Sequence, residues 1–196
     1  MNNNRSSNFN AIRSTDWTPI LLIALVAFSR LIPHWPNFTP VMAIALFAGL
    51  ALKSRVLQFV IPIAAMIISD VVLGLVLGSG WMIHDTTLYV YGAVILGVLI
   101  GKFMTTSSRL TQVLGGGTLA SVLFFIISNF GVWAGGTMYP MNAAGLVACY
   151  EAGLIFSRDQ AGTGSFFVNL LLSTWLFTAV LVFARGFAVS PTRQRA

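Results

Sequence analysis

The stretch Val56-Leu-Gln-Phe-Val-Ile-Pro-Ile-Ala-Ala-Met-Ile-Ile-Ser-Asp-Val-Val-Leu-Gly-Leu-Val-Leu77 decides the fold class. It holds one charge, Asp70, and Gly78-Ser79-Gly80 stops it. A helix needs about 20 mainly apolar residues to cross a bilayer core, and this run supplies them. Apolar runs of the same kind lie at 17–32, 41–52, 87–103, 113–133 and 165–183. Of 196 residues, 57% are hydrophobic and only 8% are charged. An ordinary soluble domain carries about 25% charged residues, so a soluble enzyme, a disordered chain and a disulfide scaffold are all excluded. The pattern predicts an all-α integral membrane protein, a bundle of six transmembrane helices.

Basic residues set the orientation. Cytoplasmic loops carry the excess of Lys and Arg, and with six spans and a cytoplasmic N-terminus the inner segments collect Arg5, Arg13, Lys53, Arg55, Lys102, Arg109, Arg185, Arg193 and Arg195. Arg30 and Arg158 are left outside. Both termini are therefore expected in the cytoplasm, with a tail at 1–16, a membrane domain at 17–187 and a basic tail at 188–196. The tail 1–16 has no small-residue cleavage site after an apolar core, so it is not read as a signal peptide. The net charge of +6 fits topology and lipid contact, and no nucleic-acid partner is expected. Residues 41–52 are short for a span; they begin either within Asn37-Phe-Thr-Pro40 or as irregular backbone. Residues 134–164 are too broken by Gly and Tyr to read as a span.

Charges in hydrocarbon are costly and mark functional candidates. Counted along the spans at 1.5 Å per residue, Arg30, Asp70, Asn129 and Asn169 fall at one depth, in the outer third. They are either an ion pair with two hydrogen-bonding asparagines, or the polar lining of a pocket. The loops above are chemically dense. Arg30-Leu-Ile-Pro-His-Trp-Pro-Asn-Phe-Thr-Pro40 is stiffened by three prolines and supplies His34 and Asn37. The next outer connector carries Trp81, His84 and Asp85, and the third carries Trp133, Tyr139, Tyr150 and Glu151. The aromatics suit either an interfacial belt or the walls of a small-molecule site. The inner loops are short and plain.

Catalytic signatures are missing. The sequence has no HExxH, GxSxG, Walker loop or CxxC; His34, His84 and Asp85 could meet as a two-His-plus-Asp metal site across two loops, but that signal is weak. No cofactor or metal is expected, and the chain is not read as an enzyme. Gly115-Gly-Gly117 lacks a following Lys and reads as a loop. Gly97 and Gly101, and Ala45 and Gly49, are small residues four apart that let helices approach closely, within the chain or against a partner.

The Arg30–Val41 run, with Ile68-Ser-Asp70, Ser128-Asn-Phe-Gly-Val-Trp133, Tyr139-Pro140 and Cys149-Tyr-Glu-Ala-Gly-Leu154, resembles a bacterial family of small membrane proteins described only as candidate transport proteins. That family is similar to the substrate-binding S components of energy-coupling factor (ECF) transporters. The resemblance spans residues 17–185. It implies a six-helix fold that binds a vitamin-sized solute from outside and pairs with a coupling membrane subunit and ATPases. In this chain the small residues Ala24 and Ala27 of the first span are three apart, not four as in the docking pattern of such components.

The leading expectation is thus a substrate-binding subunit in the bacterial cytoplasmic (inner) membrane. Its site would be roofed by residues 33–40 and lined by Arg30, His34, Asn37, Asp70, His84, Asn129, Trp133, Tyr150, Glu151 and Asn169. A structural or assembly protein with partner-binding outer loops is the alternative from a different class. A small membrane enzyme using His34, His84, Asp85 or Glu151 is the third.

Overall fold

The computed structural model describes residues 17–32, 34–78, 85–155 and 165–189. Both terminal tails read from the sequence lie almost wholly outside them, as do Pro33, Trp81, His84 and Arg158. The described residues are all-helical, with no strand. The helices are α1 Trp17–Phe28, α2 Val41–Ala51, α3 Arg55–Leu77, α4 Thr87–Phe103, α5 Gly117–Ala134, α6 Ala143–Ile155 and α7 Phe166–Val189. A 3-10 turn, Ser29–Leu31, extends α1, and a π-helical turn, Thr111–Gly116, leads into α5.

Three helical stretches are long and apolar enough to cross a membrane: Arg55–Val76, Thr111–Ala134 and Phe166–Phe187. Large apolar side chains cover their outer faces, among them Val60, Ile67 and Leu75 on α3. Such a surface suits lipid rather than water. The inward faces follow helical spacing. On α3 the buried positions are Gln58, Pro62, Met66, Ser69, Asp70 and Gly74, recurring on successive turns. On α7 they are Asn169, Leu170, Ser173, Thr174, Thr178, Leu181 and Val182.

α2 is the centre of the bundle. It contacts α1, α3, α4, α5 and α7, and every residue from Val41 to Gly49 is buried. At 1.5 Å per residue its 11 residues rise only about 16 Å, so it is half a span. Irregular backbone continues it: Phe38 N donates to Trp35 O, Thr39 N donates to Asn37 O, and Asn37 takes a left-handed φ of 58°. The Phe38 ring packs edge-on against Phe177, well along α7. Residues 34–37 are exposed, and only Phe38, Thr39 and Pro40 turn in toward the bundle. At the other end of α2, Arg185 Nη1 donates to the Leu50 carbonyl, which satisfies an orphan acceptor at the negative end of the helix dipole.

Packing of α2 on α4 uses the small residues read from the sequence. A Cβ on Gly49 would fall 2.0 Å from the Val98 carbonyl oxygen, and one on Gly101 2.0 Å from that of Leu46. Gly97 faces Met42 and Ala45. Both small-residue pairs therefore serve one contact inside this chain. Lipid tails are as apolar as Leu, so such close packing, more than burial itself, holds membrane helices together.

One reading is corrected. Gly115–Gly117 is helical rather than a loop: Gly116 and Gly117 leave room for Met104 and the Trp175 ring, each within 2.7 Å of where a Cβ would sit. Residues 134–164, not read as a span, contain the 13-residue helix α6, antiparallel to the end of α5, with Cys149 on Asn129 and Tyr150 on Ile126.

Candidate functional site

At the end of the bundle that carries the proline-rich segment lies a cavity of about 310 Å³. α5 contributes Phe124, Ser128, Asn129 and Val132, and α6 contributes Cys149, Ala152 and Gly153. Thr86 and Val90 from the start of α4, Met138 and Tyr139 from the α5–α6 connector, Phe166 of α7 and Asn37 complete it. The wall between α5 and α6 forms because Gly153 has no side chain. A Cβ there would lie 2.8 Å from both Asn129 Oδ1 and Phe125 Cε2.

Each wall is pinned. Tyr150 Oη donates to the Ile126 carbonyl at 2.8 Å, and Cys149 Sγ donates to the Asn129 carbonyl at 3.3 Å. Trp133 Nε1 donates to the Pro140 carbonyl at 3.0 Å, tethering the connector that presents Tyr139. Asn142 Oδ1 accepts from Gly145 N at the start of α6. Asn169, 3% exposed, donates from Nδ2 to the Pro36 carbonyl at 2.9 Å. That bond ties the irregular segment to α7 one residue before Asn37. Below these groups Phe125 contacts the rings of Tyr150 and Phe167.

The ten residues expected to line one site divide among several places. Asn37 and Asn129 line the cavity. Trp133, Tyr150 and Asn169 hold its frame through the hydrogen bonds above. Glu151 is exposed on α6, and His34 is exposed with Nδ1 2.7 Å from its neighbour's carbonyl, Ile32 O. His84 lies outside the described residues. Arg30 and Asp70 meet each other instead: Arg30 Nη1 is 2.6 Å from Asp70 Oδ1. Asp70 Oδ2 accepts from Tyr91 Oη at 3.0 Å, and Arg30 Nη1 also donates to Ser69 Oγ and to the Met66 carbonyl. Their side chains are 19% and 13% exposed. The network brings α1's last turn, α3 and α4 together with both carboxylate oxygens occupied. Tyr91 turns toward this pair while Val90, its neighbour on α4, faces the cavity.

Sequence reasoning did not single out Thr86, Ala152 or Gly153 as site residues, nor Tyr91 as a partner of Asp70. Ser128, Cys149, Ala152 and Gly153 stood in the family-like motifs without a role, and Tyr139 only among the aromatics that suit an interfacial belt or a site wall. Beyond those motifs, the signal for Ser128 was adjacency to Asn129, and that for Gly153 was an isolated glycine in an apolar stretch.

The fold and cavity define a class: a protein whose described residues are all-helical, with membrane-length apolar helices and a partly open polar-and-aromatic cavity at one end. The chain belongs to the family of unknown function DUF6580, whose model matches residues 10–194. No curated protein and no solved structure matches it.

Proposed function

We propose that this chain is a membrane-embedded substrate-binding subunit for uptake of a small solute, similar to the S components of ECF transporters and energised by separate subunits. The observation that carries this reading is the cavity: about 310 Å³, at the lower edge of ordinary ligand-site volumes of roughly 300–1,000 Å³. It combines aromatic walls with a few placed hydroxyls and amides, the usual make-up of such sites. A structural or assembly protein needs flat, exposed loops for a partner; the tethers from Trp133 to Pro140 and from Asn169 to Pro36 instead build a pocket frame. Pre-organisation of that kind lowers the cost of ordering on binding.

In this proposal six segments span the bacterial inner membrane: α1 with its 3-10 turn, α2 with the irregular segment before it, α3, α4, α5 with its π turn, and α7. α6 lies beside α5 as a half-length helix. α4, at 17 residues, rises about 26 Å, close to the ~30 Å core. Both termini are cytoplasmic, and the cavity opens outward. A cysteine placed at Ser54, exposed between α2 and α3, is expected to react with a membrane-impermeant maleimide only after the cells are permeabilised. Labelling in intact cells reverses the topology.

Solute binding is tested by mass spectrometry on protein purified in mild detergent from its own host. A co-purifying small molecule is expected in the wild type and is lost in Asn129→Ala. Asn129 Nδ2 donates only to Phe125 O on its own helix, and that carbonyl keeps its backbone partner, so the thermal stability of ligand-free protein should barely change. Equal loss of stability in the ligand-free variant would make Asn129 a packing residue and remove the main support for the reading.

A further inference from the structure

None of the described residues lining the cavity carries a charge. Its polar side chains are Asn37, Thr86, Ser128, Asn129 and Tyr139, all amides or hydroxyls that both donate and accept. Among the described residues, the charges nearest this end do not line the cavity. Arg30 and Asp70 neutralise each other on the face of α4 that carries Tyr91 rather than Val90. Glu151 is exposed, and Asp85 is exposed beside Gly135, at the rim.

From this we infer that the cavity takes an uncharged solute with hydroxyl, amide or carbonyl edges and rejects ions of either sign; the inference rests on the reading of the cavity as a solute site. The cavity is partly open, yet an ion seated against its walls gives up part of its hydration and meets no counter-charge among the described lining residues to replace it. A neutral solute meets a wall able to match either hydrogen-bonding sense. Asn129 adds an acceptor: with Nδ2 spent on Phe125 O, its Oδ1 is left at the Gly153 wall. Phe124 and Phe166 supply apolar faces for a ring. The volume equals that of about ten waters in the liquid, which limits the solute to one or two small rings. Asp85, open to solvent, is screened and acts on encounter more than on occupancy.

The test uses three thiol reagents of similar size and different charge on detergent-purified full-length protein. They are 2-hydroxyethyl, 2-sulfonatoethyl and 2-(trimethylammonio)ethyl methanethiosulfonate. In each case the protein thiolate attacks the sulfenyl sulfur, a mixed disulfide forms and methanesulfinate leaves. The reporter is Ser128→Cys in a Cys149→Ser background, with Val132→Cys as a second cavity position. Thr137→Cys, exposed in the α5–α6 connector, gives the intrinsic rate of each reagent. Relative to that control, the neutral reagent is expected to modify the cavity thiol readily, and both charged reagents about a hundredfold more slowly. Charged reagents that keep pace with the neutral one at both cavity positions overturn the inference and leave solute binding standing. A cationic reagent alone keeping pace overturns it in favour of a cation site governed by Asp85. If no reagent reaches either cavity position while Thr137→Cys reacts, the cavity is closed and the solute-binding reading falls with it.

Discussion

Gly101→Ala and Gly49→Ala are each expected to abolish recovery of folded protein, whereas Gly97→Ala, on the same helix face, should be tolerated. The difference lies in what the new methyl meets. At Gly101 it would sit 2.0 Å from the backbone oxygen of Leu46, and at Gly49 2.0 Å from that of Val98. Neither oxygen can move without moving its helix. To reach even the shortest real contacts, α2 and α4 would have to separate by about 1 Å, and close-packed interiors respond to such overpacking with losses of about 1–3 kcal/mol or more. α2 touches five other helices, so any displacement of it spreads to the whole bundle. At Gly97 the nearest atom is the Met42 Cε, at 2.8 Å, the free end of a flexible side chain that can swing aside, and the next, Ala45 Cβ at 3.0 Å, asks α2 to give by only a few tenths of an ångström. Size-exclusion profiles and thermal unfolding in detergent measure the series. Equal stability of Gly97→Ala and Gly101→Ala would show that the α2–α4 contact is looser than described.

This contact also shows how far the sequence can be read. Gly97 and Gly101 opposite Ala45 and Gly49 were visible as close-approach pairs, because their spacing of four places each pair on one helix face. That they pair with each other was not visible, since spacing gives a face but no partner. The extent of α2 was legible, its role was not. A helix apolar all round is compatible with lipid on every side or with protein on every side, and only the surrounding helices decide. The long spans were legible for a simple reason: membrane thickness imposes a length that few other structures need. α6 was illegible because its 13 residues fall below that length, and Gly145, Tyr150 and Glu151 interrupt its apolar pattern.

Residue counting offers a depth for the site but no azimuth. Counting residues placed Arg30, Asp70, Asn129 and Asn169 at one level, but each residue turns about 100° around its helix, so equal depth does not bring side chains together. Val90 and Tyr91 illustrate this on α4: neighbours in sequence, one lines the cavity and the other binds Asp70. The proline-rich segment is non-helical over 34–40, as read, while Arg30 and Leu31 at its start belong to a 3-10 turn. Its anchoring through Asn169 required a contact 133 residues apart in sequence, which no local pattern encodes.

Arg30 and Asp70 carry the second large effect. Neutralising either one, as Arg30→Gln or Asp70→Asn, is expected to destabilise the protein by about 3–5 kcal/mol, the usual cost of leaving one member of a buried ion pair without its partner. The double variant should lose far less than the sum, because removing both charges strands neither; the excess is the coupling energy that a double-mutant cycle reads. Tyr91→Phe deletes one hydrogen bond to Asp70 Oδ2 and should cost only about 0.5–1.5 kcal/mol, since Arg30 still holds the other oxygen. The cycle also separates two roles. The pair does not line the cavity, so the double variant, once folded, should keep its co-purifying small molecule, unlike Asn129→Ala. Additive losses in the cycle would mean that the two side chains do not interact. Loss of the small molecule from a stable double variant would put the pair inside the binding site and replace the bracing role with a direct one.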